Sequence, residues 1–282
     1  MSKFHYPKLS SFDLGVIRSP GPGLGNLLFP IFRALVQVVR EDGGFFVYPT
    51  MPQFKLGPLI RLETDKRTYW RVLRSRSLPE WIRFSRIWTI ANHLGEEEYY
   101  SLASSDLVDD RARVITYQGL RNYFHDREGF ESYIKAWVEE NMISPSCNFG
   151  SPKIVIHVRQ GDFSAFSPSN IDTCYRTPIN WYVNALNFAK DNVELREPIL
   201  LLTDGNPAYV AGQLGLSEYA LPPKGYNALQ TIMLGSRAEI LIASKSTFSM
   251  WMRFLGQSRI LWEPDFDISK YFTVTRRDLI FL

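Results

Sequence analysis

The chain has 282 residues, of which 45% are hydrophobic and 22% charged, and it carries a net charge of +3. That balance supplies apolar material for one large or two compact domains and excludes a disordered or collagen-like chain. The mild positive charge permits attraction of an anionic substrate such as a nucleotide, but falls short of the basic face of a nucleic-acid binder.

The only cysteines are Cys147 and Cys174, with no CxxC and no histidines at ligand spacing, so neither a disulfide framework nor a metal site is expected. The opening "MSKFHYPKLSSFDLG" lacks an apolar leader, and no run of eighteen apolar residues occurs. The expectation is a cytoplasmic protein with no membrane span.

In chain order, the first pattern is "GPGLGNLLFPIFRALVQVVRED", a glycine-rich loop that becomes a helix with Leu27, Leu28, Ile31, Leu35 and Val38 near helical spacing. Only "FDLGVIR" offers a strand before it. "GGFFVYPT" reads as a strand ending at Pro49, and residues 50–112 are basic, tryptophan-rich and without clear order. "RVITYQGL" and the helix "REGFESYIKAWVEENM" follow, closed by the breaker-rich "SPSCNFGSP". That loop separates an expected domain at 1–150 from one at 151–282.

Beyond it, strands and helices alternate. Strand "KIVIHV" leads to helix "TPINWYVNALNFAKDN", where Pro178 suits the first turn. Strand "PILLLT" precedes a short helix around "AYVAGQLG", and helix "NALQTIMLGSRA" feeds strand "EILIAS". Helix "SMWMRFLG" and a final strand "RILWE" complete the series. Continuous apolar strands alternating with helices predict a doubly wound parallel sheet.

Ligands of such sheets sit outside the carboxyl ends of the strands. Three consecutive strand ends here are polar: His157, Arg159 and Asp162; Thr203 and Asp204; Ser244, Ser246 and Thr247. Residues two apart in a strand share a face at roughly 6.6 Å, so His157 and Arg159 are expected to point the same way. A guanidinium donates paired charge-assisted hydrogen bonds to phosphate, and "SKSTFSMW" adds hydroxyls and backbone N–H groups at a helix start. Asp204 suits a ribose or base. Taken singly, Arg159 is also a ready ion-pair partner for Asp162, Ser246 or Thr247 a plain helix cap, and Asp204 an ordinary turn residue. Their arrival at three successive strand ends favours a nucleotide site. In "GPGLGN", Gly23 and Gly25 allow close backbone approach and Asn26 adds a donor, although the spacing is not G-x-G-x-x-G.

Four segments in order resemble the α-1,2-fucosyltransferases, glycosyltransferase family eleven. "GPGLGNLLFPIFRAL" is similar to their G-x-G-N-x-x-F…A-L segment, and "IHVRQGDF" to their H-x-R-R-G-D-Y motif. "LLTDGNPAYVAGQLG" resembles their strand–acid–loop segment, and "LQTIMLGSRAEILIASKSTFSMW" their M-x-x-C/A-x-x-x-I-x-A-N-S-S-F-S-W-W block. "TYQGLRNYFHDREGF" resembles their G-Y-x-Q-x-x-x-Y-F region more loosely. The resemblance implies an α/β fold of GT-B type, two Rossmann-like domains facing a central cleft, with an acceptor-side domain at 1–150 and the donor domain at 151–282. It implies inverting transfer of fucose from GDP-fucose to a glycan hydroxyl, with no metal and no cofactor. By position, Arg159 would meet the β-phosphate, His157 and Asp204 the nucleoside, Ser246, Thr247 and Phe248 the phosphate or base, and Gly25 and Asn26 the same cleft.

The departures are Gln160 for the second arginine, Phe163 for tyrosine, Met250 for the first tryptophan and Ser244 for asparagine. Nucleotide-sugar transfer tolerates these changes more readily than the α-1,2 linkage does, which leaves another nucleotide sugar as the alternative. Asp162 is the candidate general base, with orientation of Arg159 as its rival role. A manganese site at "DFD", Asp265 to Asp267, and a non-catalytic nucleotide or glycan binder are the competing classes. Trp70, Trp81 and Trp88 are either core or acceptor-facing.

Overall fold

The computed structural model describes residues 2–13, 15, 17–51, 69, 72–75, 77–102, 112–143, 150–160, 176–194 and 197–280. The chain forms two compact units, Met1–Pro145 and Ser146–Leu282. Each is an α/β unit, and all strand pairings in the two sheets are parallel.

The first unit holds strands β1 (Lys3–Pro7), β2 (Gly44–Phe46), β3 (Asn92–Gly95) and β4 (Arg113–Tyr117), in spatial order β2-β1-β4-β3. The central strand β1 lies upstream of the "FDLGVIR" segment. Its five residues carry no apolar run because polar groups make its contacts. His5 is fully buried with Nδ1 2.9 Å from Tyr117 Oη, and Lys3 Nζ donates to Glu41 at 3.0 Å and to Tyr99 Oη at 2.8 Å. Burial alone would raise Glu41, but hydrogen bonds from His5, Gln37, Tyr99 and Lys3 outweigh it and hold the carboxyl at about 2.

Helix α1 (Leu24–Arg40) follows the glycine loop and buries Leu27, Leu28, Ile31 and Leu35 on the predicted face. Gly21 is a close approach, since a Cβ there would lie 2.8 Å from the Leu9 carbonyl oxygen. The basic stretch that defied ordering contains α2 (Leu78–Ile90), β3 and α3 (Glu96–Leu102). Helix α2 starts on a full capping box, Ser77 with Glu80. After β4, Arg33 on α1 gathers the chain by donating to the carbonyls of Gln118 and Gly119 at 2.7 and 2.9 Å. Helix α4 (Glu131–Asn141) closes the unit.

The second unit holds β5 (Ile154–Val158), β6 (Ile199–Thr203), β7 (Tyr219–Ala220), β8 (Ile240–Ile242), β9 (Arg259–Trp262) and β10 (Asp278–Ile280). Their spatial order, β10-β9-β8-β5-β6-β7, is the 3-2-1-4-5-6 arrangement of a dinucleotide-binding sheet read from β5. Helices α5 (Ile179–Asn192), α6 (Pro207–Gln213), α7 (Ala228–Gly235) and α8 (Thr247–Leu255) connect them. Ile154, Ile156 and Val158 share one face of β5 and pack with Trp181, Ala185 and Leu186 of α5 and Val210 of α6. Pro178 stands at the N-cap of α5, one position before the first turn.

"RILWE" is not the last strand. β10 joins the edge, and its sequence hides it because Asp278 is a buried carboxylate in a three-residue strand. Arg253 on α8 donates through Nε to Asp278 Oδ1 at 2.7 Å, and Trp262 Nε1 donates to the same oxygen at 3.2 Å. Burial would raise the Asp278 carboxyl, but Arg253 and the Thr275 and Trp262 donors hold it below its ordinary value. Asp278→Ala leaves a buried guanidinium without its partner and is expected to destabilise the protein by about 3–5 kcal/mol, read from urea unfolding. A loss under about 1 kcal/mol contradicts that role.

Candidate functional site

The strand order of the second unit reverses between β5 and β8, and the carboxyl ends of strands at such a switch point are where doubly wound sheets bind ligands. Helix α8 begins directly after β8 on Ser246, its N-cap, whose hydroxyl accepts the Ser249 N–H at 3.4 Å. His157, one residue before the end of β5, ties that turn to the sheet. Its Nδ1 lies 2.6 Å from Ser249 Oγ and 2.9 Å from Ser244 Oγ, and Ser244 Oγ is 2.9 Å from Ser246 Oγ. Ser249 Oγ also accepts the Ser244 N–H at 3.1 Å. Burial, reinforced by the Arg159 charge, lowers His157 to about 4 and keeps it neutral. The Phe248 ring lies 5.1 Å from the imidazole.

Arg159 stands beside this turn. The register pairs Val158 with Thr203, so the next residues, Arg159 and Asp204, leave the sheet side by side. Arg159 Nη1 is 2.9 Å from Asp204 Oδ2, and Asp204 Oδ1 accepts the Gln160 N–H at 2.7 Å. One carboxylate thus fixes both the guanidinium and the backbone that carries it. The pair remains partly exposed, at 29% and 26% of the side chains. Gln160, which replaces the second motif arginine, lays its side chain over Gly205, where a Cβ would stand 2.5 Å from Oε1. A further cation lies at the same sheet edge: Lys245 Nζ is 3.0 Å from Glu263 Oε2, both largely buried.

The structure therefore brings together His157, Arg159, Asp204, Ser246, Thr247 and Phe248 in one unit. It gives His157 and Asp204 scaffold contacts with the serine turn and with Arg159. Gly23, Gly25 and Asn26 lie in the first unit, at the start of α1. Gly23 is its N-cap with ordinary φ, and among the described residues a Cβ there would meet only Tyr69 Oη, 4.0 Å away. Asp162, like Trp70, lies outside the described residues. Trp88 is 36% exposed yet packs on Tyr6 and Phe84.

Sequence reasoning missed Ser249 and Lys245. Ser249 had a signal, its place three residues after the N-cap Ser246. In "DFD", Asp267 caps a single turn by accepting from Ser269 N at 3.1 Å, and among the described residues no group of three His, Cys, Asp or Glu is arranged to hold a metal. Among the described residues no helix is long and apolar enough to cross a membrane.

A Rossmann-type unit with a cation, a carboxylate and a capped helix start at its switch point has the construction of a nucleotide-binding unit. No family model and no curated protein matches the sequence. Among solved structures, the chain is similar to NodZ α-1,6-fucosyltransferase soaked with GDP-fucose, at 16% identity over 95% of this chain and 96% of that one, TM-score 0.43. It is similar to fucosyltransferase NodZ from Bradyrhizobium at 16% identity over 90% and 93%, TM-score 0.41. POFUT1 in complex with GDP is similar at 11% identity over 88% and 97%, TM-score 0.48.

Because His157 binds its proton less readily when folded than its ordinary 6.5, the unfolded chain holds more protons between about 6.5 and 4. Stability from this group is therefore full above 6.5 and lost as pH falls toward 4. Thermal melts across that window are expected to show a steeper acid decline in the wild type than in His157→Gln. Parallel declines contradict the buried neutral ring.

Proposed function

We propose that the protein is an inverting, metal-independent glycosyltransferase that moves fucose from GDP-fucose to a hydroxyl of a glycan acceptor. The observation that carries the reading is Arg159, held by Asp204 at the switch point of a dinucleotide-type sheet, beside the first turn of α8. The four sequence segments that resemble fucosyltransferases add the donor's identity.

In the reaction the acceptor oxygen attacks the anomeric carbon, the bond to the β-phosphate oxygen breaks, and GDP leaves with that electron pair. Negative charge gathers on the diphosphate as the sugar becomes oxocarbenium-like. A guanidinium already aimed at that charge stabilises the transition state more than the ground state. A guanidinium presents five N–H donors, a number that suits both an orienting carboxylate and a phosphate. The α8 dipole adds positive potential, and the His157–serine network fixes the turn that supplies it. The Gly23–Asn26 segment is proposed to meet the donor through its backbone and the Asn26 amide. Asp162 is proposed to take the acceptor proton.

A thermal-shift panel of GDP, UDP, CMP and their sugars tests the donor assignment. At a hundredfold excess over Kd, GDP and GDP-fucose are expected to stabilise by about 2.7 kcal/mol, roughly 5–10 °C, with UDP and CMP inert. A panel without any shift contradicts nucleotide binding, and a shift with UDP alone moves the donor to another nucleotide sugar. For Asp162→Asn, the acid limb of the pH–rate profile is expected to vanish. An unchanged limb removes the base assignment.

A further inference from the structure

We propose that helix α2 of the first unit docks on an anionic membrane surface, lying flat on it. The helix is thirteen residues, about 20 Å, too short to span a bilayer but long enough to lie along one. Its inner side is anchored by Phe84, its one buried residue, with Ile87 packed on the same cluster and Trp88 ringed by Tyr6, Phe84 and His93.

The outer side is unlike an ordinary solvated helix face. Leu78, Ile82, Arg86 and Ile90 follow one another at i, i+4, i+8 and i+12, a single stripe, and all four are exposed. The aliphatic members are 65%, 43% and 72% exposed. Single exposed aliphatics are common, but here three share one row that a single cation, Arg86, interrupts. Arg83 is exposed on the same flank, and the only acid of the helix, Glu80, is turned back to the N-terminal cap, where it accepts from Ser77 N at 2.7 Å.

Charge selects the occupant. Among the described residues on and next to the helix, the three cations Arg74, Arg83 and Arg86 stand against one acid, Glu80, a net +2. A ridge of Leu and Ile flanked by arginines matches an interface of acyl chains and anionic headgroups, with the aliphatics inserted and the guanidinium groups at phosphate level. A nucleic acid would pair with the arginines but leave the aliphatic ridge in water. This surface belongs to the first unit alone and does not depend on the chemistry assigned to the second.

The test is co-sedimentation of the full chain with vesicles of phosphatidylcholine, and of phosphatidylcholine with about one-third phosphatidylglycerol. Binding is expected only to the anionic vesicles, and it should weaken as salt rises from roughly 0.1 to 0.5 M. Arg83→Gln/Arg86→Gln is expected to weaken it about fivefold per arginine, and Leu78→Ser/Ile82→Ser/Ile90→Ser at least about tenfold. All five positions are exposed, so circular dichroism and melting should match the wild type. No binding to anionic vesicles overturns the proposal, as does binding that the aliphatic variant retains. Binding of a short RNA in place of anionic vesicles, or a wild-type dimer that dissociates in the aliphatic variant with no vesicle binding by either protein, overturns it in favour of those partners.

Discussion

One carboxylate organises the candidate site. Asp204 leaves β6 beside the residue that leaves β5, and with one oxygen it holds the Arg159 guanidinium while the other takes the Gln160 N–H. A flexible four-bond side chain is thereby given one direction at the place where the strand order reverses. Without that restraint the guanidinium would sample many rotamers, and each encounter with an anion would have to order it first. The parallel register of β5 and β6, Val158 against Thr203, makes the pairing a consequence of the fold.

The other side of the switch point follows from a second local device. His157 points from the face of β5 away from Ile156 and Val158 and meets Ser244 and Ser249, so the start of α8 is hydrogen-bonded to the sheet as well as tethered to β8. Neutrality of the ring matters here. An imidazolium here would place a buried positive charge beside the Arg159 guanidinium, and burial already disfavours it. Helix α8 is held at its far end by the Arg253–Asp278 pair and packs closely on α7, where a Cβ on Gly235 would lie 2.5 Å from Met252 Sδ. Both ends of the helix that starts at the switch point are therefore fixed.

The second unit was legible in the sequence because buried parallel strands are continuous apolar runs: "KIVIHV", "PILLLT" and "EILIA" announce themselves, and the intervening helices have a clear period. β10 was not, since its central contact is the charged Asp278. β1 was not either, because His5 and Lys3 exchange apolar burial for a polar network with Glu41, Tyr99 and Tyr117. Helix α2 has a cap signal but buries only Phe84, so no apolar stripe points to a core. Within the site, the residue types at the strand ends could be read directly. Their partners could not: strand parity placed His157 and Arg159 on one face, but β5 ends at Val158, and the described partner of Arg159 is Asp204, at the end of the neighbouring strand. Pairing with Asp204 needs the knowledge that β5 and β6 are neighbours, which adjacency in space supplies and composition does not.

The central claim is that Arg159 meets the diphosphate of the donor. Isothermal titration of GDP and GMP into the wild type and Arg159→Ala tests it most directly, because the two nucleotides differ by the β-phosphate alone. The account expects GDP to lose about 1.5–3 kcal/mol of binding in the variant, roughly ten- to a hundredfold in Kd, while GMP changes little. Equal losses for both nucleotides, or unaltered GDP binding, would contradict it.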